Sequence, residues 1–288
     1  MAPLLQVPLR RAVIHGDIEI HFAEAGEGPP LVFVHGGMGD WQAWAPQWAD
    51  FSARYRCITY SRRFSSPNRN SLSTTDHSVR AEARDLEALM DHWNAAPAFI
   101  VGTSYGAYTA LQMALSAPSK VRALALTEAP VLPFADRVPG GRQAREAFQR
   151  DVIFPADQAF RDGDIARAVT LLTVGINGSG PGEAATPSGR ERRLRNAQAM
   201  RALAFSSDPY PPLDLKLLRT FTVPVLLLTG EDTMPIHRAT TAALKELLPG
   251  ALLNVVPGCG HGVHRDNPAE FNRVVLEFLE KVAAVAPS

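Results

Sequence analysis

The feature that most constrains the fold is a series of short apolar runs separated by amphipathic segments. Six runs are almost continuously apolar: "PPLVFVHGG", "RCITYS", "AFIVG", "VRALALTEA", "VPVLLLTGE" and "ALLNVVPG". Runs of this kind, without a polar residue at every second position, are typical of strands buried on both faces of a sheet. Two earlier runs, "RAVI" and "IEIHFAEAG", predict a further pair of strands.

Helical patterns lie between and after these runs. Two sets of apolar residues follow the spacing i, i+3, i+4, i+7 of one helix face: Leu86, Leu89, Met90 and Trp93, and Phe271, Val274, Val275 and Phe278. Asn267, Pro268 and Glu270 suit the N-cap and first turn of the second helix. Alternating strands and helices predict an α/β fold, with a mostly parallel sheet flanked by helices.

About ninety residues between "ALALTE" and "VPVLLLTG" interrupt this alternation. They contain no convincing buried strand, but they include the helical patterns "RQAREAFQRDVI" and "DIARAVTLLTVG" and the loop-like "NGSGPGEAATPSG" and "DPYPP". Because loops of this length are uncommon unless they are functional, we expect a helical cap over residues 131–219. It would be inserted into a core formed by residues 1–130 and 220–288. A loop-rich surface excursion is the alternative.

Composition excludes several classes of function. The 29 basic side chains balance the 29 acidic ones, which argues against broad attraction to nucleic acid or to an anionic membrane. Two cysteines predict neither a disulfide framework nor a cysteine-rich metal site. No run is long enough to span a bilayer, and the N-terminus lacks the apolar core of a signal peptide. We therefore expect a soluble, cytoplasmic protein; the sequence does not indicate its oligomeric state.

The segment "FIVGTSYGAYTALQMAL" places Ser104 where an apolar run changes into a helical pattern. A sharp turn from strand to helix would strain the backbone of Ser104, and side chains at Gly102 and Gly106 would collide with it. The turn would raise the serine hydroxyl above the carboxyl edge of the sheet, next to the N-terminus of the following helix. The pattern predicts a nucleophilic serine, although such a motif can also be an ordinary turn.

An acyl-transfer site also needs hydrogen-bond donors for the developing oxyanion. The backbone N–H of Tyr105 is one candidate, and "LVFVHGGMGDW" offers a second at Gly37, with Met38 next. His35 in this segment is expected to fix the loop. Met38 and Trp41 are candidate substrate-binding residues. Trp41 and Trp44, together with Tyr105, could form an apolar substrate pocket or could be packing residues.

His261 is the best-placed base for Ser104. It follows "LLNVVPGCG", a strand and then a turn, so it should also emerge at the carboxyl end of a strand. His264 is the rival, and we expect it to shape the pocket or to reach solvent. Cys259 is expected to pack.

The motifs "HGG", "GTSYG" and "GCGH", in this order and at these strand ends, resemble those of the α/β-hydrolase superfamily. The resemblance covers nearly the whole chain, from about residue 10 to residue 284. It implies a Ser–His–acid triad, an oxyanion hole and a cap between the sixth and seventh core strands. Haloalkane dehalogenases and epoxide hydrolases of this superfamily use aspartate at the nucleophile position, so Ser104 argues against those two activities.

The third member of the triad is where the sequence departs from the family pattern. The usual position for the acid holds Thr233, and Asp232 stands one residue earlier. Glu128 is a second candidate, because it ends "ALALTEAPVLPF" at the same sheet edge and some family members place their acid there. Both carboxylates stay open at this point.

A second departure follows the fourth core strand, where the family often has a glycine-rich turn. Arg62 and Arg63 occupy this place in "YSRRFSSPNRN". We interpret them as surface arginines, with a basic contribution to substrate binding as the alternative.

The leading functional hypothesis is a serine hydrolase that cleaves a carboxylic ester or lactone of a small apolar molecule and needs no metal or organic cofactor. Hydrolytic carbon–carbon cleavage, or a lyase or cyclase reaction on the same triad, is the second. A ligand-binding protein that has lost turnover on a hydrolase scaffold is the third, since fold does not fix function.

Overall fold

The computed structural model describes residues 2–72, 77–178 and 186–285. Its strands are β1 (Arg10–Ile14), β2 (Ile18–Ala25), β3 (Pro30–Val34), β4 (Arg56–Tyr60), β5 (Ala98–Thr103), β6 (Val121–Thr127), β7 (Val225–Gly230) and β8 (Leu252–Val256). They form one sheet in the order β1-β2-β4-β3-β5-β6-β7-β8. The two pairings of β2 are antiparallel, and all pairings from β4 to β8 are parallel. The predicted α/β fold with a mostly parallel sheet is confirmed.

Helices cover both faces of this sheet and fill the long interval after β6. They are α1 (Ala45–Ser52), α2 (Val79–His92), α3 (Tyr105–Ser116), α4 (Gly141–Phe148), α5 (Phe154–Arg161), α6 (Ile165–Asn177), α7 (Pro187–Arg195), α8 (Ala197–Ala204), α9 (Leu215–Arg219), α10 (Pro235–Leu247), α11 (Val263–Asp266) and α12 (Pro268–Val285). Among residues 2–72, 77–178 and 186–285, no helix combines the length and apolar character needed to cross a bilayer.

The core lies in two layers on opposite faces of the sheet. Val32 and Val34 of β3 join a cluster with α2, α3 and α10, whereas Leu31 and Phe33 join a second cluster with α1 and α12. Neighbouring residues of a strand point to opposite faces, so this division explains why β3 reads as a continuous apolar run.

One of the six predicted buried strands differs from expectation. The strand β8 pairs with β7 alone at the end of the sheet. Leu252, Leu253 and Val255 are therefore exposed. The apolar sequence of β8 resembles that of a central strand, so the sequence did not indicate that β8 lies at the edge of the sheet.

The interval between β6 and β7 contains α4 to α9 and, among its described residues, no strand; residues 179–185 lie outside the described part. Asn196 joins this interval to the loop after β3, because its Nδ2 donates to Asp40 Oδ2 at 2.9 Å. Its Oδ1 accepts from the Ser66 amide at 2.8 Å. Tyr105 Oη at the start of α3 donates to the Pro209 carbonyl at 3.0 Å. These bonds hold the interval over the carboxyl edge of the sheet.

Candidate active site

Ser104 forms the sharp junction between β5 and α3. Its backbone has φ 53° and ψ −126°, a region that costs a non-glycine residue on the order of 1–3 kcal/mol. The Ser104 amide donates to the Thr127 carbonyl at the end of β6 at 2.7 Å. The strained turn is therefore anchored to the neighbouring strand.

Two glycines allow this turn to pack closely. A Cβ on Gly102 would lie 2.8 Å from Ala107 Cα, and a Cβ on Gly106 would lie 2.3 Å from the Val34 carbonyl oxygen. Real Cβ atoms essentially never approach backbone atoms at such distances, so both positions require glycine sterically.

The loop after β3 lies directly against the serine. A Cβ on Gly36 would come 3.2 Å from Ser104 Cβ and 3.8 Å from its Oγ. His35 is fully buried, and its Nε2 accepts from the Arg62 amide at 2.9 Å while its Nδ1 faces the Gly36 carbonyl at 2.8 Å. Burial first, and the nearby Arg62 charge second, lower the pKa of His35 to about 4. It is therefore neutral near pH 7, and its two ring nitrogens fix the conformation of the loop after β3.

Glu128 follows β6 in a second strained conformation, with φ 46°. Its amide donates to the Leu228 carbonyl of β7 at 3.2 Å. The side chain is fully buried, and four donors surround its carboxylate. Thr229 Oγ1 (2.7 Å) and the Gly230 amide (3.0 Å) bond to Oε1, while Thr233 Oγ1 (2.9 Å) and His261 Nδ1 (2.6 Å) bond to Oε2.

This hydrogen bonding determines the charge of Glu128. Burial alone would raise the pKa of the carboxyl group, but the bond from His261 and the other nearby donors outweigh it and lower the pKa to about 2. Glu128 is therefore a carboxylate at neutral pH, and Nδ1 of His261 carries the proton between them.

The competing carboxylate lies elsewhere. Asp232 is exposed after β7, and its amide donates to the Cys259 carbonyl at 2.8 Å. Thr233, which occupies the family's usual position for the acid, instead donates to Glu128. Of the two candidates from the sequence, the structure brings Glu128 to His261.

Ser104 and His261 line a common cavity of about 90 Å³. Gly37, Met38 and Tyr105 of the predicted site also line it. The interval after β6 contributes six largely apolar side chains, Leu132, Phe148, Ile153, Ile176, Met200 and Tyr210, together with the polar Asn177, Arg192 and Arg193.

Comparisons with known proteins identify the family of the chain. A family model described as the alpha/beta hydrolase fold matches residues 29–268. The chain belongs to this family. A proposed carbamate hydrolase, RutD, from Caulobacter sp. (strain K31) is 28% identical to this α/β-hydrolase over 277 residues, which cover 92% of the chain and 96% of the relative.

Two solved structures resemble this α/β-hydrolase in fold. One is Est816, described as an N-acyl homoserine lactone degrading enzyme, with a TM-score of 0.75 and 20% identity over 93% of this chain and 100% of that chain. The other is the carboxylesterase CesB (YbfK) from Bacillus subtilis, with a TM-score of 0.73 and 19% identity over 95% of this chain and 92% of that chain.

His237, which the sequence analysis missed, lies in the first turn of α10 and stacks on His261. The two ring centroids are 4.1 Å apart at an angle of 24°. Nε2 of His237 bonds to the Ile176 carbonyl at 3.0 Å. Burial, and then the neighbouring His261, lower the pKa of His237 to about 4. A neutral ring therefore supports one face of His261 and connects it to α6.

The remaining predicted residues have separate places. His264 is buried, lines the cavity and stacks on Trp44 with ring centroids 4.9 Å apart. Burial first, and the Arg265 charge second, lower its pKa well below the usual value. Trp41 and Trp44 belong to the core cluster that contains α1 and α12. These two tryptophans pack against the sheet and do not line the cavity. Cys259 is buried.

Glu128, His237 and His261 also form the one described group with metal-ligand geometry, since they offer one atom each within 4.8 Å of one another. Two of these three side chains already share a 2.6 Å hydrogen bond. A metal ion would have to replace the proton in that bond.

Proposed function

We propose that this α/β-hydrolase cleaves a carboxylic ester or lactone of a small apolar molecule with Ser104 as nucleophile, His261 as base and Glu128 as acid. The observation that carries the proposal is the 2.6 Å bond between Glu128 Oε2 and His261 Nδ1. With Nδ1 bonded to Glu128, Nε2 of His261 is the nitrogen left to accept a proton. His261 lines the same cavity as Ser104.

The reaction proceeds through an acyl-enzyme. Ser104 Oγ attacks the carbonyl carbon while its proton passes to Nε2 of His261, and the carbonyl oxygen becomes an oxyanion. The amides of Tyr105 and Gly37 stabilise this oxygen, assisted by the N-terminus of α3. The C–O bond to the leaving alcohol breaks as His261 returns the proton to it. Water then repeats the sequence and releases the acid.

The cavity supports a small, apolar substrate group. Its volume of about 90 Å³ limits what can be enclosed beside Ser104, and its walls from the β6–β7 interval are mostly apolar. We assign residues 131–219 to a helical cap on the core formed by residues 1–130 and 220–288. The ester and lactone activities in the names of Est816 and CesB are consistent with this substrate class.

A panel of chromogenic esters and lactones with acyl groups of graded size tests the proposal. We expect turnover of short acyl esters, declining with acyl length, and its loss in Ser104→Ala. For each water consumed, product analysis must show one alcohol and one acid from an ester, or one hydroxy acid from a lactone. Folded wild-type protein without ester or lactone turnover, or equal turnover by Ser104→Ala, would contradict the proposed function. Products of carbon–carbon cleavage, or a product without added water, would favour the second hypothesis.

A further inference from the structure

Arg62 is a buried cation beside the candidate oxyanion hole. It follows β4 and is 1% exposed, although the sequence predicted a surface position or a direct contact with substrate. A charged side chain is rarely buried to this extent without specific partners. Its partners therefore indicate what it does.

The guanidinium group links helix α2 to the loop after β3. Nη1 donates to Glu82 Oε1 of α2 at 3.0 Å. Nη2 donates to the Gly37 carbonyl at 3.1 Å and to the Gly36 carbonyl at 3.3 Å. The backbone amide of Arg62 donates to His35 Nε2, as described above. Both carbonyls that Arg62 contacts thus belong to the segment with the candidate oxyanion donors.

Peptide geometry turns these contacts into control of the neighbouring amides. In a planar trans peptide, the C=O of one residue and the N–H of the next point in opposite directions. The Gly36 carbonyl therefore fixes the direction of the Gly37 N–H, and the Gly37 carbonyl fixes that of the Met38 N–H. Arg62 holds both carbonyls on its own side, so both N–H groups point away from it.

Arg62 also contacts the other half of the oxyanion hole. Its Cζ lies 5.1 Å from the ring centroid of Tyr105, which is within the range of a cation–π interaction. Tyr105 follows Ser104 and supplies the second candidate amide. The Arg62 side chain therefore contacts both the loop after β3 and Tyr105, which supply the candidate oxyanion donors.

Glu82 keeps the cation in place. Burial would raise the pKa of Glu82, but Arg62, followed by His77, lowers it to about 2. The carboxylate is 1% exposed and remains charged, so it neutralises Arg62 inside the protein. A buried ion pair contributes little net stability after desolvation, and its value here is the fixed direction of the Arg62 donors.

We propose that Arg62 is a positioning residue that orients the Gly37 and Met38 amides for oxyanion binding. This inference rests on the proposed function. Glycine offers little steric resistance to peptide rotation, so Arg62 adds to the bond that the Gly36 carbonyl accepts from the Gly39 amide at 3.2 Å. An oxyanion hole acts only when its donors are preorganised. Arg62 acts through the loop and does not line the cavity.

Two pairs of variants test this role. Arg62→Lys keeps the charge opposite Glu82 but cannot reach both carbonyls and Glu82 together. Arg62→Met/Glu82→Gln removes both charges together, so neither partner is left as an unpaired buried charge. It serves as the test variant if Arg62→Lys does not fold. The matched controls are Arg63→Lys and Arg63→Met/Asp85→Asn, since Arg63 pairs with Asp85 at 2.5 and 2.8 Å next to Arg62 in sequence.

The measurements are kcat, KM and inhibition by a trifluoromethyl ketone, whose adduct carries an oxyanion. We expect kcat to fall roughly 10- to 100-fold in the Arg62 variants, with a parallel loss of inhibitor affinity, a KM within about threefold and thermal stability like that of the controls. Unchanged kcat, a change in KM alone, or an equal kcat loss in the Arg63 variants would overturn the proposal.

A crystal structure of Arg62→Met/Glu82→Gln provides a readout that does not depend on turnover. Rotated peptides between residues 36 and 38 support the positioning role, and unchanged peptide planes overturn it. If wild-type protein cleaves no ester or lactone, the proposed function fails, and these peptide planes still decide whether Arg62 orients the loop.

Discussion

Glu128 Oε2 lies 2.6 Å from Nδ1 of His261, and the hydrogen bond connects the loop after β6 to the loop after β8. The carboxylate is fully buried and also accepts bonds from Thr229, the Gly230 amide and Thr233. Its position is therefore fixed by β7 as well as by its own strand. A carboxylate held in this way can fix the tautomer of the histidine and stabilise the imidazolium that forms during catalysis.

The two candidate acids are separated by matched substitutions. We expect Glu128→Gln to lower kcat by on the order of 10⁴-fold, because the amide favours the wrong histidine tautomer. Asp232→Asn should stay near wild type, since Asp232 is exposed. Ester turnover of both variants, with circular dichroism as the check on folding, gives the answer. Collapse of the Asp232 variant alone would assign the acid to the other loop.

The acid should be movable to the position that holds Thr233. Its Oγ1 lies 2.9 Å from the Glu128 oxygen that faces His261, so a carboxylate at position 233 should reach the same histidine nitrogen. We expect Glu128→Ala/Thr233→Asp to recover at least about tenfold in kcat over Glu128→Ala. The single variant still contains Asp232 and is the control. Equal kcat in the two variants would contradict this geometry.

The turn at Ser104 should tolerate no side chain at Gly106. A Cβ there would lie 2.3 Å from the Val34 carbonyl oxygen and 2.4 Å from that of His35. We expect Gly106→Ala to destabilise the fold by about 3 kcal/mol and to abolish turnover. Gly250→Ala is the control, because nothing lies within 4 Å of its added Cβ. Urea unfolding measures both variants, and similar stabilities would show that the close packing is not required.

His237 predicts a specific pH dependence of stability. Its pKa is about 4 in the folded protein and about 6.5 in an unfolded chain. Between these values the unfolded chain binds the extra proton, so the free energy of unfolding falls as the pH is lowered from 6.5 to 4. His237→Phe should remove about 3 kcal/mol of this decrease. Urea unfolding of wild type and His237→Phe from pH 4 to 8 tests this prediction. The difference between their free energies of unfolding above pH 7 should not change with pH and is the internal control. Parallel curves of the free energy of unfolding against pH over the whole range would contradict the prediction.

The sequence predicted those features that depend on local order along the chain. The strand-then-turn contexts of Ser104 and His261 placed both residues at one sheet edge, and the structure brings them to one cavity. Sequence alone could not choose between Glu128 and Asp232, because the choice depends on the direction of a side chain at φ 46° and on donors from β7.

The features that the sequence did not predict arise from contacts between distant segments. Arg62 stands in a polar segment that is typical of a surface loop. Its burial depends on the ion pair with Glu82 in α2. His237 lies in the first turn of α10, where the sequence carries no signal for function, and its stacking on His261 depends on the tertiary structure. The sequence left two roles open for Trp41, and its ring packs in the core cluster that contains α1 and α12.

Labelling with a fluorophosphonate followed by peptide mapping tests the central claim most directly. The account predicts a single covalent adduct on Ser104 in wild-type protein. The adduct should be absent in Ser104→Ala and form far more slowly in His261→Ala, because the hydroxyl then has no base. An adduct on another residue, or no adduct on folded wild-type protein, would contradict it.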